Sequence, residues 1–371
     1  MPPPPALDAV LDQIRPAIRR EQPYLVATPP GVDVKLNQNE CPYDCPEELK
    51  RELVETFLAT PFNRYPASQP DRLQAALAEA AGHDPAGVLV GNGSNELTHT
   101  LGLALIGPGT PAVLPRPMFA LYESVVRMHE GALTAVPPRP DLRFDAEAIL
   151  AAVQRERPAM TVLTTPNNPT GLAMPLDEIA PIVEAAAPGV VVVDEAYVEF
   201  TEEESAQVLL PSHPNLLLMR TLSKAYGLAG LRVGYLMGHP ALVGELLKAR
   251  LPFMVDPLAE ATALALLARP ALLQRHVEAM KTSCKQLTAA LAAMPGVEVV
   301  PSQANFVIFS TGEEPRLLVR RLADRGVLIR DMSGYPALRA YVRVNAGTPA
   351  ENQAFLVALK DALDSEHDPR T

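Results

Sequence analysis

Four apolar runs of strand length punctuate this chain, and each runs straight into a polar loop. Val88-Leu89-Val90 leads into Gly91-Asn92-Gly93-Ser94-Asn95-Glu96, and Met160-Thr161-Val162-Leu163 into Thr165-Pro166-Asn167-Asn168-Pro169-Thr170-Gly171. Val190 to Val193 leads into Asp194-Glu195-Ala196-Tyr197, and Leu216-Leu217-Leu218-Met219 into Thr221-Leu222-Ser223-Lys224. Helix-period stretches alternate with them, at Leu97 to Ile106 and at Leu176 to Ala187, the second with Leu176, Ile179, Ile182 and Val183 on one face. This βαβ rhythm marks an α/β fold with a mostly parallel sheet covered on both faces. Ligands of such sheets bind beyond the carboxyl ends of the strands. All four loops lie at those ends, so residues far apart in sequence are expected to converge on one crevice.

After about Pro257 the pattern changes. Leu258 to Ala268 and Leu272 to Met294 read as helices broken at Pro270. Val297 to Val300, Phe306 to Phe309 and Tyr341 to Val344 read as strands around a helix from Pro315 to Arg325. That is a smaller α+β unit, and 371 residues are enough for two domains. The expected division is an N-terminal arm at 1–31 that packs with the small unit, a large unit at 32–257 and a small unit at 258–371.

A net charge of −11 argues against nucleic acid as a partner, because an acidic surface repels phosphate backbones. Cys41 and Cys45 are spaced C-x3-C with no second ligand pair near in sequence, so no metal site is expected. Together with Cys284 they form no even disulfide framework, and free thiols suit a reducing cytoplasm. Met1-Pro2-Pro3-Pro4-Pro5 has neither the basic nor the apolar region of a signal peptide. No apolar run approaches the ~20 residues that span a membrane.

Each loop has an ordinary reading beside a chemical one. Most lysines are solvated surface charges, an aspartate at a strand end often caps a turn, and Asn167-Asn168-Pro169-Thr170-Gly171 would turn in any protein. Lys224, however, has hydroxyls beside it and Arg232 eight residues on. Those are the parts needed to hold an aldehyde cofactor covalently and to grip its phosphate. Ser94 and Asn95 open a helix, where backbone N–H groups favour an anion, and Gly93 lets the backbone approach closely. Gly91-x-Gly93 after a strand invites a dinucleotide-binding reading, but Glu96 stands where the third glycine belongs. Ser223-Lys224 lacks the S-x-x-K spacing of a Ser-Lys hydrolase.

Taken in order, these motifs resemble the aminotransferases of the aspartate aminotransferase fold (fold type I), which use pyridoxal 5'-phosphate (PLP), and within them the histidinol-phosphate aminotransferases. The resemblance runs over nearly the whole chain. It implies that Lys224 carries the cofactor and then moves a proton. It implies that Asp194 pairs with the pyridine nitrogen, where a carboxylate at ~4 Å is worth about 4 kcal/mol at an effective dielectric of 20. Glu195 should then point to the opposite side. Tyr197 and Asn168 match the partners of the ring hydroxyl oxygen, and Phe119 matches the aromatic that stacks on the ring. Arg232, Thr221, Ser223, Gly93, Ser94 and Asn95 match the phosphate-binding positions. Tyr65, in Asn63-Arg64-Tyr65-Pro66, matches a tyrosine that reaches the cofactor of a second subunit, which implies a homodimer.

Arg343 matches the fork that binds the substrate's anionic group, since a guanidinium meets an oxyanion bidentately. Arg330 and Tyr24 match further substrate contacts. The implied partners are a small-molecule amino donor and a 2-oxo acid, and the implied reaction turns histidinol phosphate and 2-oxoglutarate into imidazole acetol phosphate and glutamate, a step of histidine biosynthesis. Aromatic-amino-acid aminotransferases and threonine-phosphate decarboxylases share the same lysine, aspartate and arginines, so they stand as alternatives. A DNA-binding regulator on this fold would need an extra basic domain for which the chain has no room.

Overall fold

The computed structural model describes residues 7–23 and 29–364. In chain order the strands are β1 (Val34–Lys35), β2 (Val88–Asn92), β3 (Pro111–Pro115), β4 (Ala132–Val136), β5 (Met160–Thr164), β6 (Val190–Asp194) and β7 (Leu216–Thr221). They continue as β8 (Val233–Gly238), β9 (Glu298–Val300), β10 (Phe306–Ser310), β11 (Val327–Leu328), β12 (Arg330–Asp331) and β13 (Val342–Asn345).

The four apolar runs form β2, β5, β6 and β7. Every residue of β5 and β6 is buried, which explains why they read as continuous apolar runs rather than as alternating ones. They belong to a seven-stranded sheet in the order β2-β8-β7-β6-β5-β3-β4. The neighbouring pairs from β7 to β4 are parallel, while β8 runs antiparallel to both β2 and β7. The carboxyl ends of β2, β3, β5, β6 and β7 therefore share one edge with the start of β8. Helices Gly93–Leu105, Ala120–Met128, Ala146–Glu156 and Leu176–Ala186 supply crossovers. Between β6 and β7 only two short 3₁₀ turns intervene, Val198–Phe200 and Ala206–Leu209.

A second, four-stranded antiparallel sheet has the order β12-β13-β10-β9 and packs with helices Pro270–Ala292, Pro315–Ala323 and Pro349–Asp364 around Leu287, Val307, Phe309, Leu318 and Phe355. This is the smaller α+β unit.

Three expectations about its limits are corrected by the packing. Helix Pro257–Leu267, expected in the small unit, buries Ala259, Ala263 and Leu266 in the same core as Leu73 and Leu77 of the large unit. The change of core comes later, along helix Pro270–Ala292, with Leu272 in the first core and Leu287 and Leu291 in the second. Residues 34–36, expected to open the large unit, join the small one, because β1 pairs parallel with β11 and Leu36 enters the second core. The described part of the arm packs on the large unit rather than the small one. Its Glu21 accepts hydrogen bonds from Ser124 and Arg127 of helix Ala120–Met128, an ion pair that fixes the arm there.

Glu195, the residue after β6, points away from the crevice, as expected. It is 1 % exposed and pairs with Arg220 of β7 at 2.7 Å, while Ser205 Oγ and the Ala206 N–H also donate to it. Removing one member of a buried pair leaves an uncompensated charge. Arg220→Met should therefore lower the unfolding free energy by about 3–5 kcal/mol, read from urea denaturation. A loss below about 1 kcal/mol, the range of exposed pairs, would show that the pair does not hold β6 to β7.

Candidate active site

The shared edge opens into a cleft of about 770 Å³ between the two units. At its floor lies Asp194, the last residue of β6, 8 % exposed. Burial pushes its carboxyl up to about 6, opposed by the Tyr122 hydroxyl and the Ala196 N–H. Tyr122 donates to Oδ2 at 2.8 Å and Ala196 to Oδ1 at 3.0 Å. Both bonds favour the ionised form.

Lys224 enters from the loop after β7. Its Nζ donates to the carbonyl of Gln38 at 2.9 Å and sits 5.9 Å from the centre of the Tyr197 ring. Burial lowers its pKa to about 8, with the charges of Arg343 and Arg232 acting in the same direction and Glu40 opposing them. An amine so placed is close to the proton-transfer range of a base working near neutrality.

One wall is built for an anion. Arg232 stands just before β8, and the reversal of β8 puts it between the ends of β2 and β7. Its Nη1 donates to Ser223 Oγ at 3.3 Å and to the Ala229 carbonyl at 3.2 Å. None of the ion pairs among the described residues includes it. Gly93 opens helix Gly93–Leu105 at φ +75°, and a Cβ there would lie 2.4 Å from Arg232 Nη2. Only glycine admits this approach of a guanidinium to a helix N-terminus. Ser94 and Asn95 line the cleft from the same turn. A cation without a carboxylate, a serine hydroxyl and helix N–H groups together match a phosphate. Thr221 also lines the cleft, but its hydroxyl is committed to the main chain: it donates to Val233 O and accepts from the Ser223 N–H. Of the two hydroxyls, that of Ser223 is the one that meets Arg232.

The opposite wall comes from the small unit. Val342 and Val344 enter its core while Arg343 faces the cleft, as strand alternation requires. Arg343 donates to Asn168 Oδ1 and to the Asn37 carbonyl, and its guanidinium lies 5.2 Å from the centre of the Phe306 ring. Arg330 of β12 is its direct cross-strand partner and lines the same cleft. Two guanidinium groups are thus carried to one cleft wall by neighbouring strands.

Tyr197, Asn168 and Phe119 also line the cleft, Phe119 at the head of helix Ala120–Met128. Tyr65 does not. It is 83 % exposed and stacks on Phe253 at 4.7 Å. Tyr24 lies outside the described residues.

Two contributors to the cleft carry little or no local signal in the sequence. Tyr122 follows Phe119 by three residues, one helical turn, and that spacing was its only local signal. Residues 36–40 form a strap across the cleft: Asn37 meets Arg343, Gln38 meets Lys224, and Asn39 donates from Nδ2 to the Tyr197 hydroxyl at 2.9 Å. Asn39 adopts φ +55° and is held by the side chains of Asn345 and Asn305. The strap's contacts span 158 to 306 positions, and no local pattern reports them.

Among the described residues, no group of three or more His, Cys, Asp and Glu side chains could hold a metal ion, and no helix is long and apolar enough to cross a membrane.

Residues 32–359 match the family model for aminotransferase class I and II. A histidinol-phosphate aminotransferase of Chlorobaculum tepidum is 40% identical over 347 residues, which cover 94% of this chain and 99% of that protein. The crystal structure of histidinol-phosphate aminotransferase from Sinorhizobium meliloti, in complex with pyridoxal-5'-phosphate, superposes with a TM-score of 0.86 at 27% identity, covering 95% of this chain and 98% of that one. L-threonine-O-3-phosphate decarboxylase from Porphyromonas gingivalis is also similar, with a TM-score of 0.79 at 26% identity over 89% of this chain and 99% of its own.

The lowered pKa of Lys224 carries a stability consequence. Between about 8 and the ordinary value near ~10.4, the unfolded chain binds the proton that the folded chain has released, so stability rises with pH across that window. Below pH 8 the penalty is fully present. Lys224→Met should thus stabilise the ligand-free protein at pH 7 by about 2 kcal/mol, allowing for partial exposure. The gain should fade by pH ~10.5. Urea midpoints at the two pH values test this, and a pH-independent difference would contradict it.

Proposed function

The chain belongs to the class I and II aminotransferase family, and from that premise we propose that it transfers the amino group of histidinol phosphate to 2-oxoglutarate, with PLP as cofactor, as a step of histidine biosynthesis. The observation that carries the choice of substrate is the facing pair Arg330 and Arg343 on the cleft wall opposite Arg232. It leaves a second anion site beside the one for the cofactor's phosphate. Guanidinium forks match both a phosphate ester and a carboxylate, so one pair can serve the donor and the 2-oxo acid in turn. The 40% identity to a histidinol-phosphate aminotransferase over nearly the whole chain supports the same reading.

PLP, when bound, supplies an aldehyde that captures the substrate amine and a ring that draws electrons from the substrate Cα. Lys224 Nζ would hold the aldehyde and then, once released, take the Cα proton and return it. Its lowered proton affinity leaves about a tenth of the amine neutral at pH 7, against almost none for an ordinary lysine. The Asp194 carboxylate, kept in place by Tyr122 and the Ala196 N–H, would face the ring nitrogen and keep it protonated. Arg232, Ser223 and the N–H groups at Gly93, Ser94 and Asn95 would hold the phosphate, with Thr221 shaping the loop. Phe119 would pack on the ring. Tyr197 and Asn168 would bind its hydroxyl oxygen, each already oriented by a hydrogen bond, to Asn39 and Arg343 respectively. We further read the exposed aromatic group of Phe62, Tyr65 and Phe253 as part of a homodimer face from which Tyr65 reaches the partner's phosphate site.

Histidinol phosphate should convert the holoenzyme to its amine form in a single half-reaction, faster than phenylalanine or threonine phosphate, and 2-oxoglutarate should reverse it. Lys224→Ala should abolish turnover. Arg330→Ala should raise KM for histidinol phosphate about 30-fold, the worth of a lost charge-assisted contact of ~2 kcal/mol. Carbon dioxide release from threonine phosphate without any reaction of histidinol phosphate would move the assignment to a decarboxylase. For the dimer, sedimentation should give twice the chain mass and Tyr65→Ala should weaken PLP binding about tenfold; a monomer with unchanged affinity rules the shared site out.

A further inference from the structure

Glu96 takes the place of a third glycine in Gly91-Asn92-Gly93-Ser94-Asn95-Glu96, and nothing in the chemistry assigned above uses it. It lies in the first turn of helix Gly93–Leu105, the end that faces the phosphate site. A carboxylate there shares the positive end of the helix with the phosphate and repels it, unless its own charge is offset.

The surroundings of Glu96 supply that offset. Its Oε2 lies 3.4 Å from Arg250 Nε and accepts from the Asn92 N–H at 3.2 Å, while Oε1 accepts from Thr100 Oγ1 at 2.9 Å. The Arg250 side chain is 0 % exposed, and its Nη1 donates to Gln69 Oε1 at 2.6 Å. A Cβ on Gly91 would fall 2.4 Å from Glu96 Oε2, so the absent side chain at 91 makes room for the carboxylate. The carboxylate thus ties down the backbone turn at Asn92–Gly93, and an enclosed guanidinium balances its charge.

We propose that Arg250 is a positioning residue for cofactor binding: it neutralises Glu96, so that Glu96 can fix the turn at Asn92–Gly93 without placing a net negative charge behind the cofactor's phosphate. The proposal rests on the PLP reading above and adds to it a residue outside the cleft. It makes a distinction that a purely structural role does not, because the effect acts through the phosphate group alone.

Equilibrium dialysis of the ligand-free protein against PLP and against pyridoxal, which lacks the phosphate, separates the two. Arg250→Met should weaken PLP about tenfold and pyridoxal by less than about twofold. Adding Glu96→Gln to Arg250→Met removes the unpaired charge and should restore PLP affinity to within about threefold of wild type. Arg250→Lys, which keeps the charge, should retain the wild-type preference for PLP and serves as the reading if the methionine variant does not fold. Equal losses for both ligands, no recovery in the double variant, or loss of the preference in Arg250→Lys would overturn the proposal. Wild-type protein that binds PLP no better than pyridoxal would count instead against the phosphate site itself.

Discussion

Four cations, Lys224, Arg232, Arg330 and Arg343, gather around one cleft, and the rest of the site is arranged to hold them there. Three of them donate hydrogen bonds to neutral oxygens. Arg343 donates to the Asn168 side chain and the Asn37 carbonyl, Arg232 to Ser223 and the Ala229 carbonyl, and Lys224 to the Gln38 carbonyl. Such partners satisfy the donors, so the buried groups escape the cost of unmade bonds. A neutral partner of this kind does not cancel the positive potential of the cation it binds. A carboxylate in each place would have stabilised the protein equally well and cancelled the field that draws anionic ligands.

Holding that arrangement takes both sheets. The reversed strand β8 brings Arg232 to the edge where the parallel strands end, and the antiparallel pair β12–β13 sets Arg330 opposite Arg343. Residues 36–40 join the two walls. They start from the small unit through β1 and β11, touch Arg343, Lys224 and Tyr197 in turn, and are fastened by Asn305 and Asn345. A shift of the small unit against the large one would therefore be felt at the lysine nitrogen through the Gln38 carbonyl.

How far the sequence shows this depends on the range of the forces involved. Strands β2, β5, β6 and β7 are legible because strands buried on both faces must be apolar throughout. Strand β4, only partly buried, gives no such run, and β3 is hidden between Pro111 and Pro115. The direction of β8 has no local signature at all; Val233–Gly238 would read the same in either sense. The arm was expected on the small unit, yet Glu21 ties it to Arg127 and Arg15 to Glu130, pairings set by tertiary geometry rather than by pattern. Among site residues, those in the loops after the apolar runs could be found, because the chain places them at a shared edge. Tyr122 and Asn39 could not, since each acts by touching another side chain far away in sequence.

The two titrating groups at the centre of the cleft are displaced toward each other, Asp194 up to about 6 and Lys224 down to about 8. Burial is the leading cause in both, so both displacements measure the cost of keeping a charge in a space that excludes water. Near neutral pH neither group is far from its midpoint, and the arrival of a charged or polar ligand decides which form persists. A cation beside Asp194 would favour the carboxylate, and an anion beside Lys224 would favour the ammonium. A site left unstrained would hold each group firmly in one state and offer no proton to move. The instability of the ligand-free cleft and its capacity for proton transfer are thus two consequences of the same burial.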